Sequence, residues 1–276
     1  MIYKSGTPIV ALLALAFSPA SAAVVKSGSV CTVTPLSATM MARDNVLGPR
    51  QAKADDTPQI LDAFKQCGKD SSIVFQAGTY NIRSVMDTTT LSNVSVDIYG
   101  KFLWSADNLQ YWIANTLPVT AFSLTTAWKL GGKDISVRGH GKALFDGNGQ
   151  VWIDENKDGS NRKGRPINLT IWKATNVFID GITWRQSQFW HTFVAHSQNV
   201  TMTNLDMNTT SNSRWSSVNT DGVDTWNSKN VYIRNWTVTC GDVSWIRFLY
   251  YLIMECWLIS NGDLGLHLGK GQQRQY

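Results

Sequence analysis

Five short segments repeat one order of polar and apolar positions: SNVSVDIYG from Ser92, KDISVRGHG from Lys133, TNVFIDGIT from Thr175, QNVTMTNLD from Gln198 and KNVYIRNWT from Lys229. Each has a polar residue, then Asn or Asp, then alternating branched or apolar positions, then a turn-prone residue. Alternation with a period of two predicts strands, and the flanking Gly and Asn predict turns. The Asn or Asp falls at 93, 134, 176, 199 and 230, so the spacings are 41, 42, 23 and 31 residues. A unit of about 21–23 residues, with some coils unmarked or lengthened by loops, accounts for the series and lies in the period range of solenoids. A lone strand cannot bury its apolar face, whereas stacked coils pair each strand with those above and below, about 4.8 Å away. The pattern predicts an all-β fold, a right-handed parallel β-helix. A β-sandwich is the alternative, but the two-residue hairpin turns it needs are scarce between neighbouring repeats.

The periodicity differs toward the N-terminus. ADDTPQILDAFKQCG from Ala54 places Ile60, Leu61 and Phe64 at helical spacing, with Asp56 or Thr57 as cap, Pro58 in the first turn and Gly68 as the stop. This helix is expected to cover the open end of the solenoid, and SSIVFQAGTYNI to supply the first strand. Further upstream, Lys4 precedes an apolar run from Ile9 to Phe17, then Pro19 and Ala20-Ser21-Ala22. These are the parts of a secretory signal peptide cleaved after Ala22, leaving residues 23–276 as a single domain. The apolar run falls short of the roughly 20 residues that span a bilayer. Trp245–Leu258 is short and broken by Arg247 and Glu255, so no membrane span is expected.

Secretion alters the meaning of two residue types. Sequons at Asn93, Asn168, Asn199, Asn208 and Asn235 become candidate glycan sites. Disulfides become permissible, and the even count and clustering of the four cysteines suggest Cys31–Cys67 and Cys240–Cys256 among three pairings. No CxxC or HExxH occurs, so neither a metal nor a cofactor is expected. Lys and Arg number 25 against 20 Asp and Glu, an excess that suits an anionic polysaccharide or solubility alone. No basic run points to nucleic acid. A monomer is expected.

Asp221 and Asp242 stand 21 residues apart, one coil, each beside a glycine. Stacking would place them on adjacent coils of one face. Two carboxylates so placed suit glycoside hydrolysis, one protonating the leaving oxygen and the other deprotonating water. Asp beside Gly is also a common turn pair, because Asp bonds its own backbone there. The 12 Trp suit sugar stacking or a core, and His140, His191 and His196 suit structural hydrogen bonds.

ADDTPQILDAFKQCG, VFQAGTYNI, FDGNGQ, RPINLTIW, ITWRQSQFWHTF, NTDGVDTWNSKNVYIRN and TCGD, in this order from about residue 50 to 242, resemble the polygalacturonase family of glycoside hydrolases. More narrowly, they resemble its secreted, exo-acting fungal members. The resemblance implies a right-handed parallel β-helix that hydrolyses pectic galacturonan with inversion. It implies that Asp221, in NTDG, helps activate water, that Asp242 is the general acid, and that Asn219 lies beside them. The family's second GDD aspartate is replaced by Val243. The histidine turn and the Arg-x-Lys pair that grips the substrate carboxylate have no match after it, although Ser260-Asn261-Gly262 could derive from that turn. Alternation, turn residues and motifs all stop at Asp242, which suggests a retained intron, a frameshift or a mistaken gene prediction, and a solenoid incomplete at its C-terminal end. A rhamnogalacturonan hydrolase and a catalytically inactive remnant are the competing readings, with little hydrolysis expected of the chain as it stands. A calcium-dependent lyase lacks its carboxylate cluster here.

Overall fold

The structure is a computed structural model that describes residues 24–36, 54–119, 123–159 and 162–241 and the backbone of 252–258. The strands and helices follow in this order. β1 (Val24–Ser27) and β2 (Val30–Val33) precede α1 (Thr57–Gln66), β3 (Lys69–Phe75), β4 (Thr79–Ile82), β5 (Met86–Ile98) and β6 (Lys101–Trp104). Then come α2 (Leu109–Asn115), β7 (Leu117–Pro118), β8 (Thr125–Asp146) and α3 (Gly149–Asn156). β9 (Ile167–Trp172), β10 (Thr175–Arg185), β11 (Thr192–Ala195), β12 (Gln198–Asn208), β13 (Val223–Trp226), β14 (Lys229–Thr239) and β15 (Leu252–Leu258) complete the set. The signal sequence lies outside the described residues.

Parallel pairing one coil apart generates three faces, as the alternation predicts, in the right-handed β-helix. The starts of β5 and β8 continue through β9, β11 and β13 as the first face. β3, β5, β8, β10, β12, β14 and β15 stack as the second. β4, β6 and the C-terminal parts of β8, β10, β12 and β14 form the third. Inside, Phe75, Phe102, Phe145 and Trp184 make a ring column with centroid separations of 5.1, 5.3 and 5.1 Å, close to one coil rise. Their burial is the main apolar gain of the fold, since each aromatic hides a large area.

Asn and Asp occupy two of the three corners because those corners need left-handed backbone. Asp70, Asn93, Asp134, Asn176, Asn199 and Asn230 all have φ between 48° and 56° where the chain enters the second face. The side chains then bond from coil to coil. Asn93 donates to Asp70 at 3.0 Å, Asn176 to Asp134 at 2.8 Å, Asn199 to Asn176 at 2.9 Å and Asn230 to Asn199 at 2.9 Å. A second ladder between the second and third faces runs from Asn235 to Asn204 to Asp180. An amide can donate backwards and accept forwards without limit. A carboxylate only accepts, so each run starts on an aspartate.

The N-terminal end departs in detail from expectation. The first strands are β1 and β2, an antiparallel hairpin whose second strand pairs with β3. Helix α1 covers the first coil, with Phe64 6.0 Å from the rings of both Phe75 and Trp128. Asp56 holds the N-cap position, but its side chain does not cap; Asp55 Oδ1 accepts from Thr57 N at 3.0 Å instead. The buried Asp56 carboxylate accepts from the N–H groups of Leu36 and Asn81 and from the Gln59 amide. Burial raises its pKa, opposed by these bonds. Cys31 and Cys67 form a disulfide joining β2 to the end of α1.

Two expectations are corrected. Asn168 is fully buried, its amide donating to Gln188 Oε1 at 3.0 Å and accepting from Trp184 Nε1 at 3.2 Å, so no space remains for a glycan. Asn93, Asn199 and Asn235 are exposed rungs of the ladders, and Asn208 is half-buried. The β14–β15 register sets Cys256 beside Trp236, four residues before Cys240. At a strand rise of about 3.3 Å per residue the two backbones are roughly 13 Å apart, beyond disulfide reach. Among the described residues no helix is long and apolar enough to cross a membrane.

Candidate active site

The third corner, where the third face hands over to the first, carries no ladder. The connections holding α2, α3 and residues 186–191 and 209–222 all leave the coil here. Asp221 ends the last of these, two residues before β13. The turn is fixed locally: Thr220 Oγ1 donates to Ser217 O at 2.7 Å, and Asn219 takes φ 56°. Asp221 is 3% exposed.

The next coil locks onto this turn. Gly241 N donates to Thr220 Oγ1 at 3.1 Å. A Cβ on Gly241 would stand 2.1 Å from Ser217 O, so only glycine allows the approach. The residue before Asp242 in sequence is thus bonded to the residue before Asp221. Asp242 and Val243 themselves lie outside the described residues.

His191 anchors Asp221 from the preceding coil. Its backbone N–H and its ring Nδ1 both reach Asp221 O, at 2.8 Å each. A carbonyl only accepts, so Nδ1 carries the proton. Nε2, 3.0 Å from Thr209 Oγ1, then accepts from that hydroxyl, which itself accepts from Ser187 N at 2.8 Å. Complete burial pushes the His191 pKa down to about 4, opposed by its carbonyl partners, so the ring is neutral at pH 7. It is a structural hydrogen-bonder, as are His140, 2.7 Å from Asp97, and His196, 2.8 Å from Asn227.

Two further charged groups at this corner are buried. Asp224, 4% exposed, aligns across the first face with Phe193 and Thr170. Arg165, 2% exposed, donates from Nε to Gln188 O and lies 5.3 Å from the Phe189 ring centre. Only its place in RPINLTIW, two residues before β9, could have marked it. Strand β11 alternates between two cores: Val194 joins the central one, whereas Phe193 and Ala195 join a second with Val119, Leu124, Ile167 and Phe189. The outer side of the first face is therefore covered by the connection between α2 and β8. Among the described residues no cluster of His, Cys, Asp and Glu could hold a metal.

Residues 76–244 match the family described as Glycosyl hydrolases family 28. The chain belongs to this family. Its relatives include an α-L-rhamnosidase (rgxB) of Aspergillus niger, 40% identical over 193 residues, covering 70% of this chain and 45% of the relative. An exopolygalacturonase of Cochliobolus carbonum is 36% identical over 218 residues, covering 78% and 48%. The crystal structure of an endo-xylogalacturonan hydrolase from Aspergillus tubingensis superposes with a TM-score of 0.60 at 27% identity, over 76% of this chain and 51% of that one. The chain spans about half the length of the curated relatives it matches.

Proposed function

We propose that this family 28 chain is a secreted, exo-acting hydrolase of pectic galacturonan. The observation that carries the reading is the bond from Gly241 N to Thr220 Oγ1, which joins the residue preceding Asp242 in sequence to the residue preceding Asp221. In this reading Asp242 protonates the glycosidic oxygen as the C–O bond breaks, and Asp221 takes a proton from the attacking water, leaving the anomeric centre inverted. Asn219, half-buried in the same turn, orients substrate. With Val243 where the family resemblance expects a further carboxylate, turnover is slow.

The covering of the first face supports exo action. Val119 and Leu124 share a core with Ile167 of β9 and Phe193 and Ala195 of β11, so the outer side of those strands is covered, and a site bounded on that side suits a chain end. The relative that is 40% identical favours a second reading, in which the residue released is a terminal rhamnose. Incubation with oligogalacturonides and with rhamnose-ended rhamnogalacturonan fragments separates the two. Galacturonate monomer as the sole early product supports the proposal; rhamnose release favours the second reading, and internal cuts defeat exo action.

A further inference from the structure

The far end of the first face gathers a second set of side chains. Trp172 closes β9, Ala195 closes β11 and Trp226 closes β13, and strand register aligns the three across neighbouring coils. The row points outward, since Ile171 and Val194, one residue earlier, belong to the central core. Trp172 and Trp226 rest partly on the second core and are half-buried. The row stands apart from the Asp221 turn. Trp226 is five residues beyond Asp221, roughly 16 Å along a strand at about 3.3 Å per residue, and Trp172 is two coils further away.

Two lysines meet at Trp172. Lys129 Nζ lies 4.8 Å from the ring centre and Lys173 Nζ 5.3 Å. The His196 ring stands nearly perpendicular to the indole, with 5.1 Å between centres. Gly131 brings Lys129 there: a Cβ on Gly131 would stand 2.3 Å from Trp172 O, so β8 passes close to the end of β9 with Lys129 two residues earlier. Lys173 follows Trp172 at φ 49° and is exposed. Among the described residues neither ammonium group has a hydrogen-bond or ion-pair partner. The Asp87 carboxylate, beside Lys129 in the β5–β8 register, accepts from Thr89 N and Oγ1 instead. Burial lowers the Lys129 pKa, opposed by Asp87 and reinforced by the charge of Lys173.

Two like charges on one half-buried ring repel each other and lose hydration, so the arrangement costs the fold free energy until an anion joins them. A contact between an ammonium group and an indole at an exposed site is weaker than a charge-assisted hydrogen bond. A carboxylate would therefore draw both lysines off the indole and uncover a face on which a sugar ring can stack. We propose that Lys129, Trp172 and Lys173 form a second, non-catalytic carbohydrate site, which binds a uronic-acid residue by its carboxylate and ring and holds a pectic chain at a distance from the hydrolytic corner. The choice of galacturonan as the ligand rests on the pectic-hydrolase reading; the paired charges and the indole between them do not.

The test is binding to the full chain carrying Asp221→Asn, in which the ligand is not consumed. Oligogalacturonides are expected to shift the Trp172 indole 15N–1H signal, and their fully methyl-esterified forms, neutral at the carboxyl, to leave it in place. Lys129→Gln together with Lys173→Asn, which suits the left-handed backbone at 173, is expected to weaken oligogalacturonide binding at this signal about tenfold. Unchanged affinity in that variant overturns the proposal, as does an esterified oligomer that moves the signal equally. A Trp172 signal unmoved by millimolar oligogalacturonide in the parent chain overturns it as well, and covers the case in which the lysine variant does not fold. Binding at Trp172 with no hydrolysis by the unsubstituted chain leaves this site standing and counts against the hydrolase reading; hydrolysis with a silent Trp172 does the reverse.

Discussion

Two corners of one solenoid solve the same geometric problem in opposite ways. At the ladder corner every coil turns on Asn or Asp in left-handed backbone, and the exposed side chains satisfy one another from coil to coil. At the corner of the candidate site each coil leaves by a different loop, Arg165, His191, Thr220 and Asp221 are buried, and neighbouring coils meet through a glycine. The first corner is repetition and supplies stability. The second breaks the repetition, and that break gathers Arg165, His191, Thr220 and Asp221 within three coils. Sites are expected where the rules that specify a fold are locally violated.

Substitutions can separate the corners. The largest effect is expected from Gly241→Ala, whose Cβ would meet Ser217 O. It should abolish hydrolysis and cost about 2–4 kcal/mol, read from product release and the urea midpoint. Asp221→Asn should lower turnover by roughly a thousandfold while the circular dichroism spectrum stays native. A ladder-like role for Asp221 would give the reverse, stability lost and rate kept.

Acid should distinguish the corners as well. The His191 pKa lies below that of the unfolded chain, at about 4 against 6.5. Its contribution to stability is therefore complete above pH 6.5 and declines as pH falls towards 4, where the unfolded state binds the extra proton. The loss is on the order of 3 kcal/mol, and His191→Gln should flatten that part of a melting-temperature profile. The smallest effect is expected at the ladder. Asn199→Ala removes the bonds to Asn176 and from Asn230 and leaves alanine at φ 55°. It should cost about 1–2 kcal/mol by urea unfolding and leave turnover unchanged.

The ladder corner was legible in the chain and the corner of the candidate site only half so. The positions 93, 134, 176, 199 and 230 that mark the repeat are rungs at one corner, in the two runs that start on Asp70 and Asp134, because a corner that needs left-handed backbone writes Asn or Asp at each turn. The spacing of Asp221 and Asp242 comes from the same periodicity; Asp242 lies outside the described residues, and the contact seen is that of Gly241 with Thr220. Arg165 and Asp224 were not legible, since a single charge carries no periodicity and its burial depends on loops of unequal length. Asn168 failed as a glycan site on the same ground: the sequon is local, whereas the closing of Gln188 and Trp184 over it comes from residues 16 to 20 positions away. The Cys240–Cys256 pairing failed because an even count carries no information about strand register.

The central claim is that the turns at Asp221 and Asp242 form one hydrolytic site. Monosaccharide release from oligogalacturonides by wild type, Asp221→Asn, Asp242→Asn and the double variant tests it most directly. Each single substitution is predicted to lower the rate at least a hundredfold, and the double variant to be no slower than the slower single, as for groups that act as a unit. Wild-type rate in either single variant, or losses that multiply in the double, would contradict it.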